Sequence, residues 1–140
     1  MSLYLDASVV LALFVKDGHH ARAMRLVEVE SARLLISDFA RAEFASGVSR
    51  WVRIGDLDER VARATLATFD AWTATHANGV TILSADVLAA AAYIRRLDLP
   101  LRTPDAIHIA IAQRQGARLA TFDAKLADCA RTLGVDVVTG

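Results

Sequence analysis

Leu101 to Ala112 reads LRTPDAIHIAIA, and the rest of the chain is best read outward from it. Thr103 is a favourable helix N-cap, and Pro104 suits the first helical position, where no backbone donor is required. Asp105 then falls in the first turn, where free N–H groups and the helix dipole favour a negative charge. From Ala106 to Ala112 every residue except His108 is apolar, so the expected helix is buried on most of its surface. A buried helix that starts with an acid can hold that acid rigidly at a rim.

The chain has 140 residues, 54% of them hydrophobic, enough for one domain spanning 1–140 with a real core. No apolar run approaches the roughly eighteen residues of a membrane span, so no membrane partner is expected. The start, Met1-Ser2-Leu3-Tyr4-Leu5-Asp6, has neither a basic n-region nor a small-residue cleavage site, which makes the cytoplasm the expected location. Cys129 is the one cysteine, which excludes an internal disulfide and a thiolate metal cluster. Sixteen Lys+Arg balance sixteen Asp+Glu, which argues against coating nucleic acid by bulk charge but not against holding it locally. The cations are nearly all arginine, a residue suited to bidentate phosphate contacts.

Taken in order, Ser2 to Leu5 predicts a buried strand ending at Asp6, which can cap a helix from about Ser8 to Lys16, closed by Asp17-Gly18. A second helix is expected over His20–Glu30, a strand over Arg33–Ile36, and a third helix, capped by Ser37 or Asp38, as far as Arg53. Asp58 to His76 has the pattern of a long amphipathic helix. Asn78-Gly79 then turns into a strand over Val80–Leu83. Ser84 caps an alanine-rich helix from Ala85 to Arg96. Beyond the opening helix come a strand over Arg118–Phe122, a short helix capped by Asp123 and running to Leu133, and a last strand over Val135–Val138. This alternation predicts an α/β domain with a mostly parallel central sheet flanked by helices on both faces. Right-handed crossovers place the strand C-termini on one edge, where open sheets bind ligands.

Four acids fall at or near that edge: Asp6 after the first strand, Glu43 early in the third helix, Asp105 at the start of the buried helix, and Asp123 after the fourth strand. Carboxylates converging in one cleft repel one another, and a hard divalent cation, Mg²⁺ or Mn²⁺, relieves that. Phosphodiester hydrolysis is the chemistry that follows. Ser8 can hydrogen-bond a carboxylate or a metal-bound water. Singly, each acid also has an ordinary reading: Asp6 and Asp123 as caps, Asp105 as a dipole-favoured acid, Glu43 as a solvated helix residue. His108 reads as a packed, hydrogen-bonded histidine rather than a ligand, His19-His20 as a solvated pair in a turn, and Trp51 and Trp72 as core or interface residues.

YLDASVV at the first strand, AEF around Glu43, LRTPDAIHIA around Asp105 and TFD at Asp123 together resemble the PIN-domain ribonucleases, specifically the VapC-like toxins of toxin–antitoxin pairs. The resemblance runs from Leu3 to about Val138. It implies a PIN-like fold and an endoribonuclease that uses Mg²⁺ or Mn²⁺. Asp6, Glu43, Asp105 and Asp123 would be its catalytic acids, with Asp6, Asp105 and Asp123 as metal ligands and Ser8 as a supporting hydroxyl. It also implies an RNA substrate, a homodimer, and a cognate antitoxin whose C-terminal segment wraps the toxin. By analogy, the groove for that segment would lie along the apolar side of the helices between Ser8 and Glu30, at Leu11, Phe14, Met24 and Val27.

Two other classes share parts of the pattern. A phosphatase of the haloacid dehalogenase type also begins with a strand ending in a nucleophilic Asp. It needs a second acid two residues on and a later lysine; this chain has Ser8 at the first of these, and only Lys16 and Lys125 as lysines. A non-enzymatic receiver-like module needs a phosphoacceptor Asp after the central strand. Taking the third strand as central puts Leu83-Ser84 there.

Overall fold

Four residues of β1 (Ser2–Leu5) divide the protein into two cores. In the computed structural model, which describes residues 1–15, 18–29 and 32–140, Leu3 and Leu5 face one side of the sheet and Tyr4 the other. β2 (Arg33–Ser37) repeats the alternation, with Leu34 and Ile36 on the first side and Leu35 on the second. That period of two is what a strand buried on both faces must show.

The sheet is completed by β3 (Asn78–Val80), β4 (Arg118–Ala120) and β5 (Val137–Val138), in the order β3-β2-β1-β4-β5, with every neighbouring pair parallel. The strand at the centre is therefore β1, not β3, and the residue that follows the central strand is Asp6. β2 lies on one side of β1 and β4 on the other, so the chain switches direction between β1 and β4. In an open parallel sheet the crevice at such a switch point is where ligands sit.

The first core holds α1 (Ala7–Phe14), α2 (His20–Val29), α3 (Asp38–Arg53) and α4 (Glu59–His76). Phe44 of α3 and Phe69 of α4 stack at 4.2 Å, and Phe14 meets both edge-on. Trp72 packs against this core as expected. The second core holds α5 (Ser84–Ile94), α6 (Thr103–Gln115) and α7 (Ala124–Thr132). Every residue of α6 from Ala106 to Ala112 is buried.

A buried ion pair fixes α5 to α6. Asp86 is 2% exposed and takes Arg114 Nε on Oδ1 at 2.7 Å and Nη2 on Oδ2 at 2.9 Å, while the Leu83 N–H also donates to Oδ2. Burial pushes the Asp86 carboxyl up, but Arg114 and the Leu83 N–H together hold it below its ordinary value.

Several boundaries differ from expectation for identifiable reasons. Arg102, not Thr103, occupies the N-cap of α6 and makes no side-chain cap bond, so Pro104 sits second in the helix. The third strand is Asn78–Val80 rather than Val80–Leu83, because Asp38 captures the Ile82 N–H and Arg114 takes the Thr81 carbonyl. Leu83, not Ser84, caps α5. β4 ends at Ala120, and β5 begins only at Val137 because the Val135 N–H closes α7 on the Ala130 carbonyl. The expected helix ends at Lys16 and Glu30, and the Asp17 of the expected Asp17-Gly18 closure, lie outside the described residues. Among the described residues no helix is long and apolar enough to cross a membrane.

Candidate active site

Because β1 and β4 run side by side, the residues just past their C-terminal ends meet. The Asp6 N–H donates to the Ala120 carbonyl at 3.1 Å, which extends the β1–β4 pairing by one residue. Asp6 is also the N-cap of α1: its Oδ1 accepts the Val9 N–H at 3.1 Å and the Ser8 hydroxyl at 2.6 Å. Ser8 Oγ in turn accepts the Phe122 N–H, joining the start of α1 to the segment after β4. Thr121 is fully buried; its hydroxyl hydrogen-bonds Asp6, and its Oγ1 accepts the Asp123 N–H at 3.0 Å. Asp123 caps α7 through the Leu126 N–H, which occupies Oδ1. Capping and site formation are thus one arrangement here, since the cap bonds set where these carboxylates point.

Asp6 is 3% exposed, and burial pushes its carboxyl above the ordinary 3.8 against the pull of Ser8, Thr121, His108 and the Val9 N–H. Asp105, in the first turn of α6, is likewise raised: burial acts most, the Arg102 guanidinium opposes it at 3.4 Å, and the negative charge of Asp123 adds to it. Both acids therefore bind a proton more tightly in the folded chain than in the unfolded one. Above 3.8, stability contributed by each falls as pH rises through its folded value.

Glu43 stands on α3, its side chain 30% exposed, with Oε1 hydrogen-bonded to His108 Nε2. His108 lies one turn after Asp105, is buried, and bonds the Tyr4 hydroxyl through Nδ1 at 2.7 Å. The packed, hydrogen-bonded histidine expected from the sequence is what the fold contains. His108 lies within electrostatic reach of both Asp6 and Asp105, so Glu43 joins the same neighbourhood through it.

The structure thus gathers Asp6, Asp105 and Asp123 at the ends of β1, α6 and β4, with Ser8 bonded to Asp6 and Glu43 reached through His108. As the side chains stand, no three or more His, Cys, Asp or Glu among the described residues form a group able to hold a metal ion. The donor set nevertheless fits a hard divalent cation. It is all oxygen, burial pushes the Asp6 and Asp105 carboxyls up, the charge of Asp123 adds to this at Asp105, and Mg²⁺ commonly uses one or two carboxylates while keeping its waters.

Two residues near the site carried no role in the sequence reading, Tyr4 and Thr121, and Ser37 was read only as a helix cap, which it is. A tyrosine inside a strand buried on both faces is a signal in itself, because its hydroxyl must find a partner. His19, exposed in its turn as expected, and Trp51 also stand beside the acids. With Ser8, Leu11, Phe122 and Asp123 they line a cavity of about 320 Å³ beside the acids, and His19 stacks on Phe122. A larger cavity of about 480 Å³, between Phe14 and the α4 residues Arg60, Val61, Ala64, Thr65 and Thr68, contains none of the acids.

A parallel sheet whose switch point carries these acids defines a class. The PIN domain profile matches residues 3–132, and the chain belongs to the PIN domain family. Within it, the chain is 32% identical to Ribonuclease VapC46 of Mycobacterium tuberculosis over 142 residues, covering 98% of this chain and 96% of that protein. The fold is shared with VapBC2 of Rickettsia felis bound to a DNA fragment from its promoter, at TM-score 0.75 and 15% identity over 99% of this chain and 98% of that one. It is shared too with VapC20 of Mycobacterium tuberculosis, a Sarcin-Ricin loop cleaving toxin, at TM-score 0.70 and 21% identity over 90% and 93%.

Proposed function

We propose that this chain is a VapC-type toxin: a divalent-metal-dependent endoribonuclease held in check by a cognate antitoxin. The carrying observation is the set of oxygen donors at the β1–β4 switch point, Asp6, Asp105 and Asp123, in a chain 32% identical to a ribonuclease VapC over nearly its whole length. These three acids would hold Mg²⁺ or Mn²⁺. The chemistry such an ion supplies when bound is polarisation of the phosphodiester and activation of a water at neutral pH.

The chain's own residues do the rest. Ser8, Thr121 and the Val9 N–H hold the Asp6 carboxylate in place. Glu43 keeps Oε1 on His108, and its Oε2 has no hydrogen-bond partner among the described residues, so it is free to accept a proton from the attacking water. Arg102, open to solvent beside Asp105, supplies a cation for a neighbouring phosphate. The cavity lined by Trp51, His19 and Phe122 offers aromatic surface to a base next to the cut, which is how single-stranded RNA is held without long-range charge.

The phosphatase alternative loses support because Ser8, where that class needs an acid, is spent on Asp6 and the Phe122 N–H. The strand-position objection to a receiver-like module falls, since Asp6 does follow the central strand. PIN family membership is what favours the nuclease over it.

An antitoxin partner is supported by fold neighbours that are VapB–VapC assemblies. The groove reading needs adjustment: Leu11, Phe14 and Val27 pack partly into the core, and of that set Met24 is the exposed one. The open apolar space lies between Phe14 and α4, and we place the antitoxin segment there. Homodimerisation is read in the same way, with exposed Val87 and Leu88 on α5 as the apolar surface a second copy would cover.

Expressing this chain alone in bacteria is expected to arrest growth, and co-expressing the adjacent reading frame to restore it. Unchanged growth despite abundant soluble protein would count against the toxin reading.

A further inference from the structure

Tyr4 is a strand residue in the second core, and nothing in the proposed chemistry calls for its hydroxyl. Yet that hydroxyl lies 2.7 Å from both Ser37 Oγ and His108 Nδ1, and His108 reaches Glu43 through Nε2. We infer that Tyr4 and His108 are positioning residues for Glu43, joined to it by a one-way chain of hydrogen bonds that starts at the N-cap of α3. This deepens the ribonuclease reading above and rests on Glu43 having the role given there.

The direction of the chain follows from counting donors. Ser37 Oγ accepts the Ala40 N–H at 2.9 Å as the α3 N-cap, so its own hydrogen is free to go to Tyr4. Tyr4 then gives its hydrogen to His108 Nδ1, which is left as an acceptor, and His108 Nε2–H donates to Glu43. Every donor and acceptor in the run is used once. Reversing it would put a proton on Nδ1 and send the Tyr4 hydrogen to Ser37. The Ser37 hydrogen, fully buried, would then have no acceptor among the described residues, which is costly. Phe39 and Tyr4 pack about the imidazole, with ring centres 5.2 and 5.7 Å away, and fix its plane.

The consequence lies at Glu43, whose side chain is 30% exposed on α3. With Oε1 held by a buried imidazole, Oε2 is offered in one orientation. Outer partners of this kind alter metal affinity or activity by about 10- to 100-fold when removed.

The test uses the full-length protein in three measurements. ¹⁵N-histidine NMR of metal-free wild type should show His108 with Nδ1 unprotonated and Nε2 protonated; Tyr4→Phe should mix the tautomers. Calorimetric titration with Mn²⁺ alone, and RNA cleavage in Mn²⁺, should both be compared across Tyr4→Phe, His108→Leu and His108→Gln. His108→Leu should lower kcat about 10- to 100-fold with KM within about twofold. His108→Gln, whose amide nitrogen can replace Nε2–H, should recover most of that loss. Tyr4→Phe, which keeps the ring and the packing, should fall between them at an unchanged melting temperature. Wild-type His108 protonated at Nδ1, or wild-type kcat in both Tyr4→Phe and His108→Leu, would overturn the inference. If wild type cleaves no RNA, the ribonuclease reading fails by itself. The tautomer result, with Mn²⁺ affinity unchanged in His108→Leu because Glu43 is not one of the proposed ligands, would then still support the positioning chain, and a wild-type His108 protonated at Nδ1 would refute it.

Discussion

Asp105→Asn is expected to lower RNA cleavage at least about a hundredfold while leaving the metal-free protein as stable as wild type or more so. A hundredfold is about 2.7 kcal/mol of transition-state stabilisation, within what one metal–carboxylate contact supplies. Asp105 makes no cap bond; its polar contact is to Arg102 at 3.4 Å, with the Arg102 side chain 78% exposed. Asparagine therefore removes little that holds the fold, and it removes charge repulsion with Asp123. Were Asp105 only an acid favoured by the helix dipole, the change would cost a few tenths to about 1 kcal/mol and leave cleavage intact.

The same variant has a signature in pH. The carboxyls of Asp6 and Asp105 are raised, so metal-free wild type should lose melting temperature as pH rises above 3.8 through their folded values. Asp105→Asn should flatten part of that slope. Saturating Mn²⁺ should raise the wild-type melting temperature most at the upper end of the range, where the carboxylates are free of protons, and should raise the variant less.

Asp86→Ala is expected to lower stability by ~3 kcal/mol, roughly 10 °C in melting temperature for a domain of this size. The mechanism is the one that makes broken buried pairs costly. Arg114 stays where it is, its bidentate partner gone, and the Leu83 N–H at the start of α5 loses its acceptor. The Arg114 side chain is 28% exposed, and the water it reaches keeps the loss at the low end of the range. Changing both residues to alanine should recover part of it, a coupling that chemical denaturation of the two single variants and the double would measure. Because the Asp86 carboxyl is held low, the pair's contribution is complete above 3.8 and is lost as pH falls through the folded value, so the gap to wild type should close in acid.

Much of this fold was legible because it depends on local patterns. The apolar run after Asp105 could only be a buried helix, and α6 is buried from Ala106 to Ala112. Asp6 and Asp123 follow short apolar strands and cap the next helices, as their positions implied. Strand order was not legible, since a parallel strand can join either edge of a growing sheet. The sequence therefore did not reveal that β1 is central and lies beside β4.

The side chains that set the acids' orientation escaped notice for the same reason. Glu43 and His108 are 65 residues apart, and Tyr4 and His108 are 104 apart. Thr121 sits inside the quoted TFD motif, but it gains a role only once β4 places it against Asp6. The start of α6 shifted by a residue because Arg102 takes the cap position without a cap bond, which residue preference does not anticipate.

The most direct test of the metal-dependent ribonuclease is one cleavage assay on purified full-length protein. RNA is incubated with enzyme stripped by EDTA, and then with the same enzyme after Mn²⁺ or Mg²⁺ is returned. Oxygen ligands alone predict no cleavage in chelator and full recovery on adding the ion. Cleavage at the same sites and rate with all divalent metal removed would contradict the account.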